Sequence, residues 1–350
     1  MRTDRRAAAT VGIAVAAVVT GAMVTVPAAE AQPGGAVAAA QGSCPAARAK
    51  VDRLEGRITP NACAFMERQI AFGELPTGAP PAPGEVGHPR VRAYLDIFDP
   101  DATLWEAGSL PQRGHTAIGA SITNSLRLVP SLAYRGTDVV ADGSTVMFGQ
   151  WNEVTLKGHR VAYPQIARNV LGDDGRTIQA RRYYDRAVLF QDTLPQDAPA
   201  PLFAGVADSD RSPARGNPAR FRVGEIPGRL AAWNAQDTAT LLARFTGARL
   251  SGPGLDRPLV TEAGKRAYLE RLFSTADLQL KAGQSAVGET TTYVEWHGTA
   301  SVRDGEQTRT VPFGIVERFG ADREWELTFD TLPLIADQNE IGTLFQKLAS

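Results

Sequence analysis

The apolar positions fall into two kinds of pattern, and the two kinds follow one another twice. Apolar residues at helical spacing predict helices over 90–98 and 116–128, and again over 238–245 and 263–273. Asp237 and Thr261 stand where N-caps of the latter pair belong. Each helical region is followed by runs of β-branched or alternating residues. These are 144–156, 161–171 and 177–189 in the first half, and 291–302, 308–319 and 324–331 in the second. Turn signals at Gly172–Gly175 and Arg303–Gly305 separate neighbouring runs and suit hairpins. Helices first and an antiparallel meander afterwards is an α+β order.

Proline and glycine divide the chain further. A short stretch, 76–89, interrupts the first half, and a longer one, 195–227, separates the halves. Similar residues recur across that division. Trp151 and Trp296 are 145 residues apart, as are Tyr183-Tyr-Asp185 and Thr328-Phe-Asp330. Tyr94-Leu95…Phe98 and Leu241-Leu242…Phe245 are 147 apart, and 102–108 and 248–254 are 146 apart. A nearly constant offset points to a tandem duplication.

These residues resemble the nuclear transport factor 2-like superfamily and, within it, the SnoaL-like group. The resemblance rests on Ala231-Ala-Trp-Asn-Ala-Gln-Asp237, Leu250-Ser-Gly-Pro-Gly254, Ala267-Tyr-Leu-Glu-Arg-Leu272 and Phe329-Asp330 in the second half. In the first half it rests on Asp99–Trp105, Arg113-Gly-His115 and Arg181-Arg-Tyr-Tyr-Asp185. It implies two cone-shaped domains, each of helices on a curved, mostly antiparallel sheet. The expected organisation is a leader over 1–31, a first domain over 44–192, a Pro-rich linker over 193–228 and a second domain over 229–338. The first domain departs from the pattern at its start. Helices over 61–75 and 45–56 are expected there, the latter pinned by a Cys44–Cys63 bridge.

The N-terminus reads as an export signal. Arg2, Arg5 and Arg6 precede an apolar run over 7–26, and Ala29-Glu30-Ala31 suits cleavage before Gln32. Cleavage after Ala40 and an uncleaved anchor are the alternatives. The expected location is secreted or extracytoplasmic, with no membrane span after cleavage. Two cysteines close together after the leader suit one disulfide in an oxidising compartment. A net charge of −1 over 350 residues leaves no basic footprint, so nucleic acid is not an expected partner. The four histidines are scattered, so no metal is expected. No phosphate-binding loop, nucleophile elbow or zinc-protease motif occurs, and no cofactor is implied.

The candidate chemistry is sparse. The resemblance gives Asp185 and Asp330 as acid/base residues inside the cones. The alternative is a carboxylate that caps a strand end or pairs with Arg182 or Arg186. His115, at a helix start, and His297, beside Trp296, are further proton-transfer candidates. Neighbours on a strand point to opposite faces. If Trp151 and Trp296 pack outward, Asn152 and His297 point into the cones; otherwise they point away. Trp105, Glu106, Asn152, Tyr163, Gln165 and Tyr184 would suit a pocket for an apolar small molecule. Three functions stay open. One is a cofactor-free acid/base cyclase or isomerase, and another is a ligand-binding protein. The third is an interaction module, monomeric, in which the two cones form a pseudo-dimer within the chain.

Overall fold

The computed structural model describes residues 44–106, 109–208, 221–304, 307–320 and 323–350. The expected leader and part of the linker lie outside them. The first domain runs α1 (Pro45–Arg48), β1 (Arg53–Arg57), α2 (Pro60–Gly73), α3 (Pro89–Asp96), β2 (Phe98–Glu106) and β3 (Gln112–Arg113). It continues with α4 (Gly114–Leu128), β4 (Ala133–Asp142), β5 (Thr145–Leu156), β6 (His159–Leu171), β7 (Thr177–Tyr183) and α5 (Val188–Gln191). Its sheet has the order β1-β4-β5-β6-β7-β2-β3. The second domain runs α6 (Ile226–Asn234), α7 (Thr238–Ala243), β8 (Arg249–Ser251), α8 (Glu262–Thr275), β9 (Ala276–Val287) and β10 (Thr292–Asp304). It continues with β11 (Gln307–Phe319), β12 (Glu324–Thr328), α9 (Leu332–Ile335) and α10 (Gln338–Ala349). Its sheet has the order β8-β12-β11-β10-β9. The fold is α+β, with two domains each built on a mostly antiparallel sheet. Among the described residues, parallel pairing is confined to β1 with β4, β2 with β7 and β8 with β12.

The start of the chain corrects one expectation. The helix expected over 45–56 stops at Arg48, and Arg53–Arg57 joins the sheet beside β4. Gly56 explains the change. Its φ of +86° is unfavourable for any other residue, and a Cβ there would meet the Ala141 carbonyl. Cys44 and Cys63 form a disulfide that ties α1 to α2. Cys44, Ala47, Phe65 and Phe72 share one core with Val91, Ile118 and Phe148. Cys63→Ser is expected to cost about 3 kcal/mol by freeing the loop in the unfolded chain, measurable by urea denaturation.

Each long strand divides its residues between two environments. On β5, Val146 and Phe148 enter the core under α2, while Met147 points the other way. Met147, Val140, Ile166 and Tyr183 meet Ala286, Tyr293 and Val316, so the two sheets pack against each other. Charges are enclosed in this contact. Glu295, 1% exposed, accepts hydrogen bonds from Arg168 Nε at 3.0 Å, the Tyr183 hydroxyl at 2.6 Å and the Gln284 amide at 2.9 Å. Arg318 pairs with Asp138, and Glu55 accepts the Thr290 and Thr291 amides at 2.7 and 2.9 Å.

The chain then returns to where it began. After the second sheet, an Asp337–Glu340 capping box starts α10. Leu344 and Leu348 pack with Val154, Leu156 and Val161 of the first domain. Phe345 stands edge-on to Phe190 at 5.0 Å.

Candidate functional site

The mouth of the first sheet holds a cavity of about 150 Å³. The alternation of β5 supplies one wall. Gln150, Asn152, Val154 and Leu156 share its inner face, and Asn152 lies opposite Tyr163 on β6. Glu106 comes from the end of β2, Arg182 from β7 and Tyr184 from just beyond it. Helix α4 adds Ile122 and Leu128, and α10 closes the space with Phe345 and Leu348.

Most of the lining is apolar, and its polar groups are arranged in series. Gln150 Nε2 donates to Asn152 Oδ1 at 2.7 Å, and Asn152 Nδ2 donates to Gln165 Oε1 at 3.4 Å. The relay stops there: Gln165 is 5% exposed, and its Nε2 has no hydrogen-bond partner among the described residues. Arg182 Nε is likewise without one, standing 4.0 Å from Glu106 Oε1. An unsatisfied buried donor costs about 1–3 kcal/mol, and two of them border this cavity.

The charges here are well defined. Burial by itself would lower the Arg182 guanidinium, but Tyr94 and Glu106 more than compensate and its pKa is raised. Burial pushes the Tyr94 hydroxyl up to about 12 and raises Tyr163 and Tyr184 as well. These tyrosines therefore stay protonated at neutral pH. Among the described residues Glu106 is the one carboxylate of the lining.

Five of the six residues expected to face a ligand meet in this cavity: Glu106, Asn152, Tyr163, Gln165 and Tyr184. Trp105 does not. It packs on Tyr183 at 5.4 Å and lines a separate crevice of about 270 Å³ between the domains, with Arg181 and His297. Burial first, and then the Arg181 charge, hold His297 down to about 4. His115 Nε2 donates to the Phe98 carbonyl at 3.0 Å.

Both aspartates lie away from the cavity, between the domains. Asp185 Oδ1 accepts the Thr331 amide at 3.0 Å, the Thr331 hydroxyl at 2.8 Å and the Ala187 amide at 3.1 Å. Asp330 returns the arrangement. Its Oδ1 accepts the Arg186 amide at 3.0 Å, and its Oδ2 accepts Arg186 Nε at 2.7 Å. Each carboxylate thus caps the residue that follows the other. Asp185 also takes the Ala187 amide, and Arg186 pairs with Asp330.

The tryptophans are not equivalent either. Trp151 is 41% exposed, and Asn152 turns inward; Trp296 is fully buried, and His297 turns toward the interface. In the second domain Trp296 Nε1 donates to Glu317 Oε1 at 3.1 Å, and Trp233 donates to the same oxygen. Arg229 Nε reaches Glu317 Oε2 at 2.6 Å, and its guanidinium lies over Phe245, Phe319 and Trp325. Large side chains occupy the interior of this domain.

Sequence reasoning missed Arg182 as a cavity residue, along with Gln150, Tyr134 and Phe345. Gln150 follows from Asn152 by the two-residue period of a strand. No local signal places Phe345, whose contact crosses from the end of the chain to the first domain.

No known family model matches the chain, and no curated protein does. Solved structures show likeness over a little more than a third of the chain. A SnoaL-like protein of polyketide-cyclase type from Jannaschia sp. CCS1 is 14% identical, with a TM-score of 0.32. The match covers 39% of this chain and 94% of that one. A protein with a ketosteroid isomerase-like fold from Catenulispora acidiphila, in complex with trimethylamine, is 16% identical, with a TM-score of 0.31. It covers 36% of this chain and 92% of its own. An NTF2-like protein of unknown function from Burkholderia pseudomallei is 13% identical, with a TM-score of 0.30, over 37% of this chain and 98% of its own.

Proposed function

We propose that the chain is a small-molecule-binding protein whose working site is the cavity of the first domain. The observation that carries this reading is the unpartnered Gln165 amide donor, nine-tenths buried, at the end of the Gln150–Asn152 relay. The part of the ligand held here is ring-sized and mostly apolar, since a cavity of about 150 Å³ accommodates benzene. It carries one oxygen acceptor that meets Gln165 and Arg182.

The second domain is a structural partner. On this reading residues 44–192 and 229–338 are copies of one ancestor. The second copy supplies the other half of a pseudo-dimer, and α10, which follows it, supplies a wall of the first copy's cavity. Export to an oxidising compartment belongs to the same reading, supported by the Cys44–Cys63 bridge. Binding is favoured over catalysis because Asp185, Asp330, His115 and His297 all lie outside the cavity lining. Were the site to turn over its ligand, Glu106 would be its base.

Calorimetric titration with acetophenone and with ethylbenzene, alike in shape but differing in the carbonyl, tests the assignment. Wild type is expected to prefer the ketone by about tenfold, the worth of one good hydrogen bond, and Gln165→Met to lose that preference. Equal affinity of wild type for both compounds, or no binding of either, would overturn the reading.

A further inference from the structure

A second compartment adjoins the first. It has a volume of about 280 Å³ and lies between the disulfide-tied start of the chain, α2 and β4. Its walls are apolar: Val51, Phe65, Met66, Ile70, Val139 and Phe148. Charge is confined to its outer edge. Lys50 pairs there with Glu74 at 2.7 Å, and Arg135 with Asp52 at 2.6 Å, all of them more than half exposed.

Two residues, Gln69 and Tyr134, line both this compartment and the inner cavity. The Tyr134 hydroxyl donates to the Gln69 carbonyl at 2.6 Å, and its ring stacks on Phe72 at 6.0 Å. Gly73 makes room for the ring, since a Cβ there would stand 3.2 Å from it. The partition between the compartments is thus made in part by two side chains. Polarity changes across it: the unpartnered donors of Gln165 and Arg182 are on the inner side, and the apolar slot is on the outer side.

We propose that the two compartments form one elongated site for an amphiphile, an oxygen-bearing ring in the inner cavity with an alkyl tail that passes Tyr134 into the outer slot. This rests on the reading of the inner cavity as a ligand site, and it names the class of ligand: an alkyl-substituted carbonyl compound rather than a compact ring. It also gives the N-terminal disulfide a purpose at the site. The bridge holds α1 and α2 together, and Ala47 and Val51 complete one side of the slot.

The test is a homologous series of phenones, acetophenone through butyrophenone and hexanophenone to octanophenone, titrated against the full chain. Each buried methylene should tighten binding by about fourfold, the equivalent of ~0.8 kcal/mol, until the slot is full. Val51→Trp fills the slot and should abolish the gain with chain length while leaving acetophenone affinity unchanged. Gln69→Ala widens the partition and should enhance the gain, which keeps the test decisive if the tryptophan variant folds poorly. Acetophenone binding with no dependence on chain length would overturn the two-compartment site and leave the inner cavity standing. The same holds for a gain that both variants leave untouched. Failure of acetophenone itself would overturn the inner-cavity reading and this proposal together.

Discussion

Replacing Glu295 with glutamine is expected to lower unfolding free energy by about 3–5 kcal/mol, the range for breaking a buried pair and stranding its partner. Arg168 is the stranded partner. Its side chain is 1% exposed, and Nε faces Glu295 at 3.0 Å. Arg181 stands on the same carboxylate at 3.4 Å. Burial alone would raise the Glu295 pKa, but Arg168, Arg181 and the Tyr183 hydroxyl together hold it at about 2. The sign of the pH effect follows. A depressed carboxylate contributes stability above its ordinary value of 4.5, and the contribution is lost as pH falls toward about 2. Urea titrations at pH 7 and pH 2.5 should show a large gap between wild type and Glu295→Gln at the first and a much smaller one at the second. A gap of equal size at both would mean that the ion pair is not its source.

The two capping aspartates should respond in opposite directions to the same substitution. Burial, and next the Asp330 charge, raise the Asp185 carboxyl from 3.8 to about 7. The folded chain therefore holds a proton there that the unfolded chain releases. This group's contribution is most favourable below pH 4 and declines as pH rises through about 7. Asp185→Asn keeps an oxygen for the Thr331 and Ala187 amides and removes the charge. It should stabilise the protein at pH 8 by on the order of 2 kcal/mol and make no difference at pH 4. Asp330→Asn takes the charge from the buried Arg186 guanidinium and should cost about 3 kcal/mol at pH 8. Thermal unfolding of both variants at the two pH values decides it. A destabilised Asp185→Asn at pH 8 would show that the anion, not the neutral acid, is the working form of the cap.

The contrast explains which parts of the molecule could be read from sequence. Helices over 116–128 and 263–273 and strands over 144–156 and 308–319 have strong local periods, and the structure has elements there. The arm over 45–56 read as a helix because its period is too short to show that Gly56 approaches a neighbouring backbone. Facing was harder still. A constant offset equates Trp151 with Trp296, yet one turns out and the other in. On β5 the even-numbered Val146 and Phe148 face the core, and on β10 the even-numbered Val294 and Trp296 do, so an odd offset of 145 equates residues on opposite faces. Period two was enough to bring Asn152, Tyr163 and Gln165 together. It could not reveal that Asp185 and Asp330 cap each other's domains, because that contact exists only once both sheets have docked.

The two domains differ in how their interiors are filled. In the first, the inward amides Gln150 and Asn152 lead to Gln165, whose Nε2 has no hydrogen-bond partner among the described residues, beside an open cavity. In the second, the inward Trp296 joins Trp233 on Glu317, and Arg229 is held by that carboxylate and three aromatic rings. One interior holds a cavity, and the other is filled by large side chains.

The most direct test of this account is a crystal structure of the full chain soaked with 4-bromoacetophenone, with the bromine located by anomalous scattering. The account predicts one strong bromine site in the first domain, with the ketone oxygen within hydrogen-bond distance of Gln165 Nε2 or Arg182 Nε. A bromine site inside the second domain, or in the crevice beside His297 with the first cavity empty, would contradict it.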